Sequence, residues 1–401
     1  MRSLSKEFTL ALLCAGILVV AAQQSLSAEL PEGTRVEAKS PATRSSYNIR
    51  SEIQIGGAGA PDEAQFYEQE SSAQVGADAA GNIYVLDGGG PRIQVFDKQG
   101  KFLRSLGKKG EGPGEFKMPG RLAVAADGRV AVFDMALNRI TVLDTHGKLV
   151  RDQIVQTVAR DLQFDRQGGL VCAFVAPGGA RIEAFDAQGK SRWNLASDQP
   201  PTGGRMMVME IDNETAGSRL AVGAQTAYFA TRDEYAVRRI ADGTVTHTWV
   251  RPFERLAREP LPRPKDGEDG GGHFVMIRRQ EGGGGDAAAR TEVKSSAQGD
   301  AIQLDRGDIE KMMPKHRPDV RGLVAWPDGR VWVITAENEG STMITDEWSA
   351  DGTWHTRFGM PRYDRVAMGA DGRLYAVSHD ADEYPIVHRL AVTAENGSAA
   401  R

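Results

Sequence analysis

The plainest pattern along the chain is a two-residue alternation of apolar and polar positions, interrupted at short intervals by glycine. In "AADGRVAVFDMALNRITVLDTHGKLVRDQ", Val130, Val132, Ile140 and Val142 alternate with their neighbours, and Gly128 and Gly147 fall between the apolar runs. A period of two is that of a strand, and Gly or Asp-Gly supplies the positive φ that a tight hairpin requires. The pattern therefore predicts short strands joined at the glycines.

The unit recurs. "DAAGNIYVLD", "AADGRVAVFD", "DRQGGLVCAF", "WPDGRVWVIT" and "GADGRLYAVS" superimpose with Gly81, Gly128, Gly168, Gly329 and Gly372 in register, and a degenerate sixth copy, "VGAQTAYFATRD", puts Thr226 in the glycine column. In most copies a second turn comes after it, as in "VFDKQGKFLRSL", "VLDTHGKLVRDQ" and "AFDAQGKSRWNL". Each unit reads strand, turn, strand, loop, strand, turn, strand. A lone four-stranded meander cannot bury both faces, so the units must pack on one another, and six arranged radially form a propeller. The expected fold is all-β: a six-bladed β-propeller of four-stranded antiparallel blades. The last unit ends at "IVHRLAVT" without a fourth strand, while "SYNIRSEIQIGG" (46–57) is an orphan ahead of unit one. Pairing the two satisfies both open edges and closes the ring.

The glycine-rich stretch "GKKGEGPGEF" (107–116) has the spacing of neither nucleotide-binding loop, and Glu111 and Glu115 would oppose an anion there. It reads instead as a connector between blades. Residues 110–134, "GEGPGEFKMPGRLAVAADGRVAVFD", resemble the NHL repeat of six-bladed propellers, whose motif runs through a G-x-G-P-G-x-F connector, a Pro, a short strand, a D-x-x-G turn and the next strand. The resemblance covers 46–392 apart from two insertions and fades in unit four. It implies a propeller serving as a protein-binding scaffold, a sensor domain, an RNA-binding module or, in some members, a lyase.

The insertions, 195–216 and 251–317, fall at connectors leading to inner strands. The second is Gly-rich and charged, and a lid or a decorative loop fits either one. Inner strands line the channel of a propeller, so their first residues are expected to ring its mouth. Counting back seven from the glycine column gives Gln74, Arg121, Asp161, Arg219, Gly322 and Arg365, with Arg160 and Arg321 one position away. Guanidinium forks grip carboxylate or phosphate, so these residues are candidates for an anion site, although each Arg could equally pair with an acid such as Asp161 or Asp364.

A second cluster carries the opposite sign. The loops "TAENEGS" and "SHDADEY" bring Glu337, Glu339, His379, Asp380, Asp382 and Glu383 toward one face, and Glu337, Glu339, Asp380 and Asp382 are candidate ligands for Ca²⁺ or another hard cation. No other cofactor is implied. Propeller lyases of the resembling family that amidate peptides use a set of His ligands. Of His146, His247, His273, His316, His355, His379 and His388, the register turns His146, His247 and His355 away from the mouth and leaves only His379, with His316 and His273 from an insertion, within reach of it, so a three-His site is not supported. No H-E-x-x-H or G-x-S-x-G motif is present.

Charge and targeting narrow the partners. The 401-residue chain carries a formal net charge of −5, which gives nucleic acid no overall attraction. Arg2 and Lys6 precede "FTLALLCAGILVVAA" and small residues that offer cleavage near Ala22 or Ala28, so residues 1–28 read as a signal peptide. Its removal leaves the mature chain near −6, with no later membrane span and with Cys172 as its one cysteine, so no intrachain disulfide can form. The sequence thus predicts a periplasmic or extracellular propeller (46–392) with a disordered tail (393–401). It would bind a protein, peptide or glycan through its loops, or alternatively act as a hydrolase or lyase on an anionic small molecule at the arginine-lined mouth.

Overall fold

The computed structural model describes residues 32–43, 45–67, 73–176, 179–195, 219–231, 234–258 and 315–395. The leader, nearly all of both insertions and the last six residues lie outside them. Six sheets succeed one another along the chain. The inner strands are Gln74–Ala77, Pro119–Val124, Ala159–Phe164, Leu220–Val222, Val320–Ala325 and Arg365–Met368, and each leads an antiparallel meander. This is the six-bladed propeller that the repeat predicts.

The blades are held by what lies between them. Six clusters of buried side chains each straddle one boundary between neighbours, including the boundary between blade six and blade one. Between blades four and five, Trp249 stacks on Trp348 with ring centroids 5.7 Å apart and planes within 7°. Cys172 sits in the cluster between blades two and three, and burial raises its thiol's pKa, so it is a core residue. Because each sheet buries its faces only on its neighbours, the ring is the smallest unit that satisfies every blade.

The turns obey the repeat's chemistry. Gly128 has φ +82° and its N–H donates to Ala125 O at 3.0 Å, while a Cβ there would lie 2.8 Å from the Tyr84 hydroxyl of blade one. The glycine-rich connector is structural as well. Its carbonyls at Glu111, Gly112 and Glu115 accept hydrogen bonds from the Arg139 guanidinium at 3.2, 2.9 and 2.7 Å, and Phe116 is fully buried between blades one and two. Asp134, at the end of its strand, accepts from the Lys117 and Met118 N–H groups at 2.6 and 3.0 Å, fixing the approach to blade two. The stretch thus gathers acceptors around a cation of the protein itself.

Closure is more extensive than the repeat predicts. Tyr47–Gly56 pairs antiparallel with Pro385–Ala394 from Tyr47↔Ala394 to Gly56↔Ile386, completing blade six. The last strand therefore runs two residues past the expected boundary at 392. Upstream, Thr34–Glu37 adds as a fifth, parallel strand to the outer edge of blade four, in register Thr34↔His247 through Glu37↔Val250. Between the two, Ala42 and Thr43 donate to the Trp354 and His355 carbonyls of blade five at 2.8 Å each. The N-terminal segment crosses three blades. Its four-residue strand lacks a glycine turn and an alternating run, which is why the pattern does not show it.

The seam predicts unequal sensitivity. Ile55 is buried with Phe66 in the cluster joining blades six and one, and Ile55→Ala should lower unfolding free energy by about 2–4 kcal/mol. Val36, only partly buried on blade four, should cost under about 1 kcal/mol when changed to Ala. Denaturant unfolding of both variants measures the contrast.

Candidate functional site

The axial channel contains a cavity of about 460 Å³. Its lining begins at Gln74, Arg121, Asp161 and Arg365 and tracks the inner strands to the turns beyond them, where Ala126, Arg166, Ala224 and Ala370 reach solvent. The sequence-derived ring is therefore the inner end of a cavity that opens on the face bearing the D-x-x-G turns. The counting rule puts these residues at a mouth. The structure places them deeper, buried or half-buried near the starts of their strands, three of which enter with a bulge, at Pro119/Arg121, Ala159/Asp161 and Val320/Gly322.

Four of the predicted positions meet there. Arg121 lies below Arg160, to whose carbonyl its Nε donates, and its Nη1 donates to Gly120 O at 2.7 Å. Asp161 accepts the backbone N–H of Arg219 at Oδ2, 3.1 Å away, which ties blade three to blade four. Gln74 opens blade one in the same layer. Arg365 is 7% exposed, and among the described residues no hydrogen bond or ion pair reaches its side chain. Arg219 is buried and couples to the layer through Asp161 and through the charge of Arg121, without lining the cavity. Arg160 and Arg321 stand outside the lining, the latter with its guanidinium against the Met343 sulfur at 3.8 Å, and the sixth position is Gly322.

Burial works against two of the charges in this layer. Burial pushes the Arg365 guanidinium down to about 10, Arg121 adds to the shift, and Asp161 and Asp364 oppose it. Arg121 is lowered for the same reason, with Asp161 favouring its charge and Arg219 opposing it. Asp364 is itself engaged, bonded to His379 Nδ1 at 2.8 Å. A buried guanidinium without a carboxylate of its own is costly, and an added anion would offset that cost.

The acidic loops serve other ends. Glu337 accepts from Arg251 Nη2 and pairs with Arg357, each at 2.8 Å, and Arg251 also bonds Asp346 at 2.7 Å between the rings of Tyr235 and Trp354. Asp380 takes the Ala58 N–H at 2.7 Å and those of Asp382 and Tyr384 at 3.0 and 2.9 Å, organising its own loop and the closure strand. Among the described residues no three His, Cys, Asp or Glu side chains gather into a metal-binding group, so Glu337, Glu339, Asp380 and Asp382 are not brought to one point. His388 is held by the Ser51 and Ser378 hydroxyls inside blade six.

Among the lining residues that sequence reasoning missed are two with polar side chains, Gln163 and Trp326. The Trp326 indole is 3% exposed and its Nε1 has no hydrogen-bond partner among the described residues. Gln163 stands two positions beyond Asp161, which the strand period would have shown had the count been carried further down the channel.

Comparison with known proteins agrees with this architecture. A family profile described as a 6-bladed beta-propeller matches residues 76–166. No curated protein sequence matches the chain. Among solved structures, an exported protein of Bacteroides fragilis is 10% identical, with a TM-score of 0.51 over 90% of this chain and all of that one. A catalytically inactive virginiamycin B lyase of Staphylococcus aureus with quinupristin is 12% identical over 86% of this chain and 99% of the other (TM-score 0.43). A calcium-binding protein, regucalcin, of Agrobacterium tumefaciens is 12% identical over 92% and 99% (TM-score 0.43). At 10% identity the Bacteroides likeness speaks to the fold alone.

The charges of the two clusters lead to two tests. Replacing the unpaired cation by an apolar side chain of similar length, Arg365→Met, should stabilise the ligand-free protein by about 1–3 kcal/mol in denaturant unfolding. Glu337 behaves oppositely. Burial raises its pKa, but the hydrogen bonds from Arg251 and Arg357 more than reverse this and hold it below the ordinary 4.5. A carboxyl lowered on folding stabilises above its ordinary value and loses that contribution as pH falls through the lowered one. The stability gap between wild type and Glu337→Gln should thus be full at neutral pH and shrink below about pH 4.

Proposed function

We propose that this protein is an exported propeller that captures an anionic small molecule in its axial channel, with Arg121, Arg365 and, through Asp161, Arg219 as the recognising group. The observation carrying this reading is Arg365: a buried guanidinium lining the cavity with no hydrogen-bond partner among the described residues. A core residue placed there for stability alone would be apolar or paired. The overall negative charge favours a small, locally recognised anion over nucleic acid. The leader supports a periplasmic or extracellular setting. A protein, peptide or glycan scaffold acting through the loop-rich face would draw on the two insertions, which lie mostly outside the described residues.

Thermal melts at low salt against carboxylates, phosphates, amines and neutral analogues test the proposal. An anion at a hundred times its dissociation constant should add about 2.7 kcal/mol of stability. The shift should vanish in the double variant Arg121→Gln/Arg365→Gln, and amines and neutral compounds should give none. Equal shifts with neutral compounds, or none with any anion, would refute it.

A further inference from the structure

The cavity changes character along its length. At its inner end lie Arg121, Arg365 and Asp161, two positive charges against one negative among the described lining residues. In the middle, Leu122, Val124, Phe164, Val222 and Met368 line it while remaining only half-buried. The polar residue of that zone, Gln163, is held by the backbone of blade four: its Nε2 donates to Leu220 O at 2.6 Å and its Oε1 accepts from the Val222 N–H at 3.0 Å. Among the described residues the middle zone therefore offers chiefly apolar contact. At the outer rim, Arg166 and the turn residues Ala126, Ala224 and Ala370 meet solvent.

Size and charge both limit the occupant. The volume of about 460 Å³ lies within the range of small-molecule pockets. From Arg365 to Met368 the lining spans three strand steps, roughly 10 Å at about 3.3 Å each, and the turn carrying Ala370 lies beyond. One net positive charge at the inner end is matched by one negative charge, and half-buried apolar walls around a channel favour a ligand that removes them from water. Polar small anions would leave those walls wet.

We infer that the ligand is an amphipathic monocarboxylate that enters from the turn-bearing face, seats its carboxylate between Arg365 and Arg121, and lays an unbranched apolar body along Leu122, Val124, Phe164, Val222 and Met368. This rests on the reading of the channel as an anion site and specifies what else the ligand must carry. Trp326 also lines the cavity, and its Nε1 has no hydrogen-bond partner among the described residues.

Titration calorimetry on the mature chain with acetate, hexanoate, decanoate and decanol distinguishes the two levels of the claim. Affinity should rise about threefold to fourfold per methylene from hexanoate to decanoate. Decanol should bind about tenfold or more weakly than decanoate, a difference that Arg365→Gln erases. Met368→Gln should weaken decanoate and leave acetate as it was, and Ala370→Trp at the rim should slow decanoate association. Acetate, hexanoate and decanoate binding alike would overturn the apolar body while leaving the anion site standing. Decanol binding as tightly as decanoate, or no carboxylate binding at all, would overturn the anion site itself. An association rate unchanged by Ala370→Trp would overturn the entrance.

Discussion

Everything in this molecule depends on a ring having no ends. A four-stranded blade buries its faces only on its neighbours, so each of the six clusters of buried side chains exists only while both flanking blades are in place. The pairing of Tyr47–Gly56 with Pro385–Ala394 supplies the last of these boundaries. No disulfide assists it, since Cys172 is buried and free. The seam's strength is backbone hydrogen bonding plus Ile49 and Ile55, which sink into the clusters on either side of blade six. The strand that completes the sheet is also the wedge between its neighbours.

The same geometry brings charges together at the axis. Inner strands converge there, so residues far apart in sequence become neighbours whether or not their charges agree. Elsewhere the protein resolves such meetings: Arg139 is wrapped in carbonyls, and Arg251 has Glu337, Asp346 and three aromatic rings around it. Against these, Arg365 stands out, with no hydrogen-bond partner among the described residues and with burial driving it down to about 10. The protein's other buried arginines show what a structural solution looks like here.

Much of the architecture is legible in the residues. Glycine in register, a period of two and a missing fourth strand specify blade number, blade size and closure, because turn conformation and strand burial are local constraints. Position seven before the glycine picks out Gln74, Arg121, Asp161 and Arg365, which share the inner end of the cavity. What it cannot give is depth along the axis, which depends on bulges and on how connectors fold over strand starts. Nor can spacing show that Glu337 is spent on Arg251 and Arg357, since those partners come from other strands and meet only after the blades pack. Thr34–Glu37 escapes notice because a short parallel strand on an outer edge leaves no mark in its own sequence.

The belt formed by the N-terminal segment sets a clock on maturation. Ser46 and Glu395, which touch across the seam, are separated by 349 positions in the chain. At roughly 5–20 residues per second of synthesis, about 20 to 70 s pass between the emergence of one partner and that of the other. Throughout that interval the growing polypeptide holds an incomplete circle with two raw sheet edges, open to mispairing with another copy. Whatever shields those edges acts on a chain that cannot close its ring until the strand ending at Ala394 is free.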